Sequence, residues 1–273
     1  MRRSLSFFIR LIVFFVAMRL LFSQFIPEEL ALRTQQENCL KNAEILSFQE
    51  VGQGVTRPYR LFLKSEMGEI SGCWKNPQGV QKGFLEGWQY EIAAYEIDKL
   101  IGLNMIPPTV ERQLDGKAGS LQFWTDTPLN DLERMSQEIK IPQDKLENWS
   151  KAKYLMRAFD CLIGNEDRTQ ENIRYTADWR MILIDHSRSF RSSPKYTNNL
   201  MYGRNGIKEQ KLFRVLPRNF VERLKDLTSE SVSQAVGSYL SGKEKRALLK
   251  RRDLLLEEIS VMIKEKGETN ILY

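Results

Sequence analysis

Asn165-Glu166-Asp167-Arg168-Thr169-Gln170-Glu171-Asn172, followed after two short apolar runs by Ile184-Asp185-His186-Ser187-Arg188, decides the reading of this chain. The runs at 173–175 and 181–184 have the length of paired strands. Asn172 opens the first and Asp185 closes the second, so antiparallel pairing sets these two residues at one open end of a hairpin. Asp167 lies on the loop entering that end. Taken alone, Asp167 or Asn172 reads as a turn or cap residue. A loop Asp, an Asn five residues on and an Asp closing the next hairpin together form a set able to hold a divalent metal against phosphates and to orient an attacking oxygen.

Upstream, short strand-like runs at 45–51, 59–63 and 70–75 suggest one antiparallel sheet. Between the first two, Gly52-Gln53-Gly54 lets backbone approach a phosphate closely. Lys75 ends the third run with an ammonium that can neutralise phosphate. The segment 88–101 carries Ala93, Ile97, Leu100 and Ile101 at helical spacing, with Gly102 as a left-handed stop, and predicts an amphipathic helix packed on that sheet. Glu91, early on this helix, can orient Lys75. Two further strand-like runs, 109–114 and 120–125, flank the turn Asp115-Gly116. Beyond a polar connection at 126–142, a helical pattern runs from Leu146 to Leu162 and stops at Gly164-Asn165. The last third reads as helical, with Leu248, Leu255, Ile259 and Met262 in one apolar stripe.

The chain has 273 residues, 42% apolar, enough for a substantial core and too apolar for disorder. Its net charge is +6, but Arg2, Arg3, Arg10 and Arg19 sit in the first 24 residues, where there are no acids, so the remainder is nearly neutral. That excludes a broad basic face for nucleic acid. The late run Lys243, Lys245, Arg246, Lys250, Arg251, Arg252 is read as a solvated helix face. Three cysteines, Cys39, Cys73 and Cys161, allow one bridge at most and lack paired metal-ligand spacing. Residues 1–24 combine basic residues with an apolar stretch and read as a signal peptide, with an uncleaved membrane anchor as the alternative. A secretory, extracytoplasmic or membrane-anchored location follows from either, with membrane contact through this segment.

The succession of glycine loop, strand Lys, helix Glu, strand pair, helix, Asp-Arg with a later Asn, hairpin and Asp is the order a bilobal kinase requires. Tyr90-Glu91-Ile92-Ala93-Ala94-Tyr95, Leu100-Ile101-Gly102-Leu103, Pro107-Pro108-Thr109-Val110 and the run from Asp160 to Arg168 carry a closer likeness. Over roughly 45–265 the chain resembles the atypical kinases that join phosphoinositide kinases, HipA-type kinases and secretory-pathway kinases of the Golgi casein kinase type. The resemblance implies an α+β bilobal kinase-like fold: a small antiparallel-sheet N-lobe with one main helix at 45–125, and a mainly helical C-lobe at 126–273. Residues 25–44 are read as a connecting segment.

By the same resemblance Asp167 is the catalytic carboxylate, Asn172 and Asp185 bind metal, and Lys75 contacts phosphate with Glu91 as its partner. The resemblance also makes Gln122, Phe123 and Trp124 the adenine hinge, while the residues themselves place Gly52, Gln53 and Gly54 facing the nucleotide. The implied cofactors are ATP with Mg2+ or Mn2+, and the implied activity is transfer of the γ-phosphoryl group to a hydroxyl, on protein first, with lipid or sugar as alternative acceptors. Thr169 stands where such kinases often have His, and Ser187 where a Gly commonly follows the metal Asp by two. Both motivate a reading from another class, an inactive kinase fold used as a binding module. His186, the only histidine, is read as packing beside Asp185 rather than as a catalyst.

Overall fold

The computed structural model describes residues 24–52, 57–81, 83–204, 206–208, 212 and 214–273. The expected leader therefore lies outside the described residues except for Gln24, whose amide donates to the carbonyl of Leu103 at 2.6 Å. Among the described residues no helix is long and apolar enough to cross a membrane.

The segment expected as a connection is helical, with α1 at Pro27–Ala31 and α2 at Arg33–Asn42. Then come β1 (Glu44–Glu50), β2 (Tyr59–Ser65) and β3 (Gly68–Lys75). A short hairpin of β4 (Gln78–Gln81) and β5 (Phe84–Gly87) follows, which the sequence reading did not anticipate. Helix α3 spans Trp88–Ile101, and β6 (Thr109–Leu114) and β7 (Lys117–Phe123) complete the sheet. The sheet order is β1-β2-β3-β7-β6, antiparallel throughout. Asp115 and Gly116 both take positive φ, the conformation a tight two-residue hairpin needs.

Alternation on β2 turns Leu61 and Leu63 inward, where they meet Trp74, Val110, Leu114 and Leu121 on one apolar face. Leu40 of α2, with no exposed surface, seals that face. Helix α3 is not amphipathic in the way its stripe suggested. It is buried along most of its circumference, including Glu91 and Asp98, because it packs against β6 and β7 on one side and joins the helical half's core on the other.

The stretch expected as a polar connection contains β8 (Leu129–Asn130) and α4 (Asp131–Ser136), the latter started by a reciprocal cap between Asn130 and Glu133. Helix α5 spans Leu146–Ile163 and ends on Gly164 at φ 62. Strands β9 (Ile173–Tyr175) and β10 (Met181–Leu183) join β8 in a three-stranded sheet of order β10-β9-β8. Helices α6 (Pro194–Thr197), α7 (Arg218–Lys225), α8 (Ser229–Val236), α9 (Gly242–Lys266) and α10 (Glu268–Ile271) complete the second half. All four residues of the expected α9 stripe are buried.

The expected solvated face of α9 fails at one position. Arg251 has no exposed surface. It lies three residues after Leu248 and four before Leu255, so helical spacing places it in the apolar stripe. Its Nε and Nη1 reach the carbonyls of Leu162 and Arg191 at 2.9 and 2.5 Å. Cys39, Cys73 and Cys161 are all free thiols.

Candidate active site

Where the two halves meet, Lys75 at the end of β3 points its ammonium at two carboxylates. Its Nζ lies 3.1 Å from Glu91 Oε1 on α3 and 3.1 Å from Asp185 Oδ1 after β10. Gly119 lets β7 pass here, since a Cβ on it would stand 2.5 Å from the Lys75 carbonyl. Burial acts first to lower the Lys75 pKa, but Asp185 and Glu91 outweigh it and hold the group well above the ordinary lysine range. Burial likewise acts to raise Glu91, and Lys75 with His186 holds it below the ordinary carboxylate range instead. The pair is therefore a fixed plus and minus.

Asp185 sits at φ 58, a left-handed conformation that Asp tolerates better than bulkier side chains. Ser187 Oγ donates to its Oδ1 at 3.2 Å. Its side chain keeps 36% exposure, so it faces the opening while Glu91 lies beneath. The β9–β10 register holds as expected, and Ile184 N–H donates to the Asn172 carbonyl at 3.2 Å, which brings Asn172 and Asp185 to the same hairpin end. Asn172 Nδ2 donates to the Asp167 carbonyl at 3.2 Å, leaving the amide oxygen as its remaining donor atom toward a metal.

Asp167 lies on the connecting loop, with its backbone N–H on Asn165 Oδ1 at 3.0 Å and its carboxylate 33% exposed. Burial raises its pKa above the ordinary value, partly offset by Arg188, whose Nη1 lies 3.1 Å from Oδ2. Arg188 in turn donates Nε and Nη2 to Glu86 Oε1 at 2.7 and 2.6 Å. Neither Glu86 nor Arg188 was singled out from sequence, because the hairpin that carries Glu86 is too short to show alternation.

Arg168 anchors the loop from below. Its Nε and Nη2 meet Asp160 of α5 at 3.1 and 3.0 Å, and its Nη1 donates to the carbonyls of Asn172 and Ile184. Its Nη2 also lies 2.8 Å from His186 Nε2. An arginine can only donate, so Nε2 accepts and the ring proton sits on Nδ1, 3.7 Å from Glu91 Oε2. The His186 backbone N–H donates to that same Oε2 at 2.9 Å. Burial pulls the His186 pKa below its ordinary value, which keeps the ring neutral. Its fully buried position removes it from contact with a substrate. Its ring meets Arg168 and its backbone N–H meets Glu91, so the residue links the two, although Nδ1 itself has no hydrogen-bond partner among the described residues.

Of the remaining expected residues, Gly52 takes φ 72 at the turn after β1, and Gln53 and Gly54 lie outside the described residues. Gln122 Nε2 donates to Thr109 Oγ1 at 3.0 Å. The backbone N–H groups of Phe123 and Trp124 are already bonded to the carbonyls of Pro108 and Ser71 at 2.7 and 2.9 Å. The Trp124 ring lies under the Arg60 guanidinium at 4.3 Å. A cavity of about 370 Å³ opens behind this stretch, lined by Phe123 but by none of Lys75, Glu91, Asp167, Asn172 or Asp185. Burial pushes the Cys73 thiol up to about 11, so it is no nucleophile.

The donor set at the hairpin end, one carboxylate and one amide oxygen, is hard and suits Mg2+ or Mn2+. Among the described residues no cluster of three His, Cys, Asp or Glu could hold a metal unaided. The pair thus fits a metal whose other ligands come from phosphates and water.

No protein-family model matches the chain, and no curated protein matches it in sequence. Solved structures do match its shape. The structure of hydra Fam20 with sugar superposes with a TM-score of 0.63 at 16% identity, over 89% of this chain and 92% of that one. The chain has the fold of the atypical kinases. The Golgi casein kinase with Mn and ADP bound gives a TM-score of 0.59 at 13% identity, over 89% of this chain and 78% of that one. The Helicobacter pylori proinflammatory kinase CtkA gives 0.52 at 13%, over 86% and 99%.

Proposed function

We propose that the chain is a metal-dependent kinase that transfers the γ-phosphoryl group of ATP to a hydroxyl, with protein as the first acceptor class. The observation that carries this reading is Lys75 held between Glu91 and Asp185, with Asp167 presented across the opening from them. Such an ammonium, fixed by a buried carboxylate, is placed to neutralise phosphate rather than to titrate. Asp185 and the Asn172 amide oxygen would hold Mg2+ or Mn2+, which supplies charge neutralisation on the phosphates. Asp167, made more basic by burial, orients the acceptor hydroxyl and takes its proton as the new O–P bond forms and the bond from the γ-phosphorus to the ADP oxygen breaks, with ADP as the leaving group. The neighbour solved with Mn and ADP supports the choice of nucleotide and metal.

A sugar hydroxyl is the second acceptor class, favoured by the neighbour solved with sugar. The test is transfer of label from γ-labelled ATP with Mn2+ to casein and to a panel of saccharides, beside Asp167→Asn. Label on one class from the wild type, reduced about 100-fold or more in Asp167→Asn, is the expected result. ATP and metal binding without transfer to any acceptor or to water would favour the inactive binding module instead. A secretory location is proposed on the same neighbours and on the character of residues 1–24.

A further inference from the structure

We propose that Arg188 is a positioning residue for phosphoryl transfer, held by Glu86 and Phe84 of the β4–β5 hairpin so that its guanidinium fixes the carboxylate of Asp167. The inference rests on the kinase reading above. Among the described residues Arg188 is the one cation within ion-pair distance of that carboxylate, with Nη1 3.1 Å from Oδ2. The opposite edge of the guanidinium is clamped by Glu86 Oε1, and its Cζ stands 4.5 Å from the Phe84 ring centroid. Glu86 is almost fully buried, with 1% of its side chain exposed.

The hairpin is fastened to the stretch that follows Asp185. Gly87 N–H donates to the Ser187 carbonyl at 3.0 Å, and Arg191 Nη2 donates to the Leu85 carbonyl at 2.5 Å. Stability alone does not explain the arrangement. A buried Glu–Arg pair gives little net stability, Glu86 Oε2 has no hydrogen-bond partner among the described residues, and two four-residue strands form a weak unit by themselves. The placement makes sense at the other end of the guanidinium. With Oδ2 of Asp167 held by Arg188 and the carboxylate still 33% exposed, Oδ1 is the oxygen left to meet an acceptor hydroxyl.

The test compares wild type, Arg188→Met, Arg188→Lys, Glu86→Gln and Asp167→Asn, using release of labelled phosphate from ATP to water with Mn2+, and ATP affinity from thermal shift in the same samples. Arg188→Met is expected to lower kcat about 100-fold, the scale of a misplaced catalytic group, with ATP affinity within about twofold of wild type. Millimolar guanidinium ion should restore part of that loss, which it would not do for a fold defect. Adding Arg188→Met to Asp167→Asn should cost nothing further, because the two act as one unit.

A parallel loss of ATP affinity would make Arg188 a nucleotide ligand and overturn the proposal, as would wild-type kcat in Arg188→Met. If that variant does not fold, Arg188→Lys decides. It keeps the charge but not the fork, and an unchanged kcat in it would equally overturn the idea. A wild type that binds ATP and metal but turns over none would contradict the functional reading, and this inference with it.

Discussion

Two buried arginines, Arg168 on the loop after α5 and Arg251 on α9, do opposite things. Arg168 meets the carboxylate of Asp160, two carbonyls and the His186 ring, so its charge is neutralised and its position is passed on to Glu91 and Lys75. Among the described residues Arg251 meets only the carbonyls of Leu162 and Arg191 and its Nη2 has no hydrogen-bond partner, and burial pushes its pKa down. What makes Arg251 tolerable is its place at the C-terminal end of α5, where the aligned carbonyls give a partial negative charge. The first arginine transmits geometry to the site, and the second fastens a helix end.

Arg168→Met leaves Asp160 buried and uncompensated, and urea unfolding should show a loss of about 3–5 kcal/mol. Replacing both partners, Asp160→Leu with Arg168→Leu, should recover most of that stability while ATP turnover stays low, since an apolar pair cannot hold the loop carbonyls. Recovery of both would show that the network serves stability only. Arg251→Met removes neutral acceptors' partners and no ion pair, so its expected cost is about 1 kcal/mol. An equal loss in the two methionine variants would end the distinction between them.

The relay through His186 has a smaller and pH-dependent signature. Its folded pKa lies below the unfolded value of about 6.5, so the unfolded chain binds the proton more readily. Stability from this group is present above pH 6.5 and is lost as pH falls below it, by at most about 1.4 kcal/mol per pH unit. His186→Gln should flatten the stability profile between pH 6.5 and 5, and an unaltered slope would remove the ring from the relay. Gly119→Ala tests the strand passage beneath Lys75 and should cost about 1–3 kcal/mol by overpacking.

The sheet, α3, α5 and the β9–β10 hairpin were legible because each rests on local rules. Short strand-like runs marked β2 and β3, Gly102 and Gly164 stopped the two helices, and Asp115-Gly116 closed a turn. The placement of Asn172, Asp185 and Asp167 followed from pairing alone. Three things were hidden for physical reasons. Helices α1 and α2 carry mostly polar residues and are held by tertiary contacts such as Arg33 to Asp98 rather than by an apolar stripe. Strands β4 and β5 are four residues each, below the length at which alternation speaks. Arg251 was visible in principle, since 248, 251, 255, 259 and 262 form one helical stripe, but its charge drew it into the neighbouring basic run. His186 was read as packing beside Asp185, and it is fully buried, while its link to Arg168 needed three dimensions to see.

The kinase reading makes Lys75, Glu91, Asp167, Asn172 and Asp185 one nucleotide and metal site. Thermal unfolding of residues 25–273 with and without ATP plus Mn2+, beside Asp185→Ala and Asp167→Ala, tests it most directly. At a ligand concentration of 100 times the dissociation constant the stabilisation is about 2.7 kcal/mol. The account predicts a metal-dependent rise in wild type and in Asp167→Ala that disappears in Asp185→Ala. Equal stabilisation of wild type and Asp185→Ala, or none in either, would contradict it.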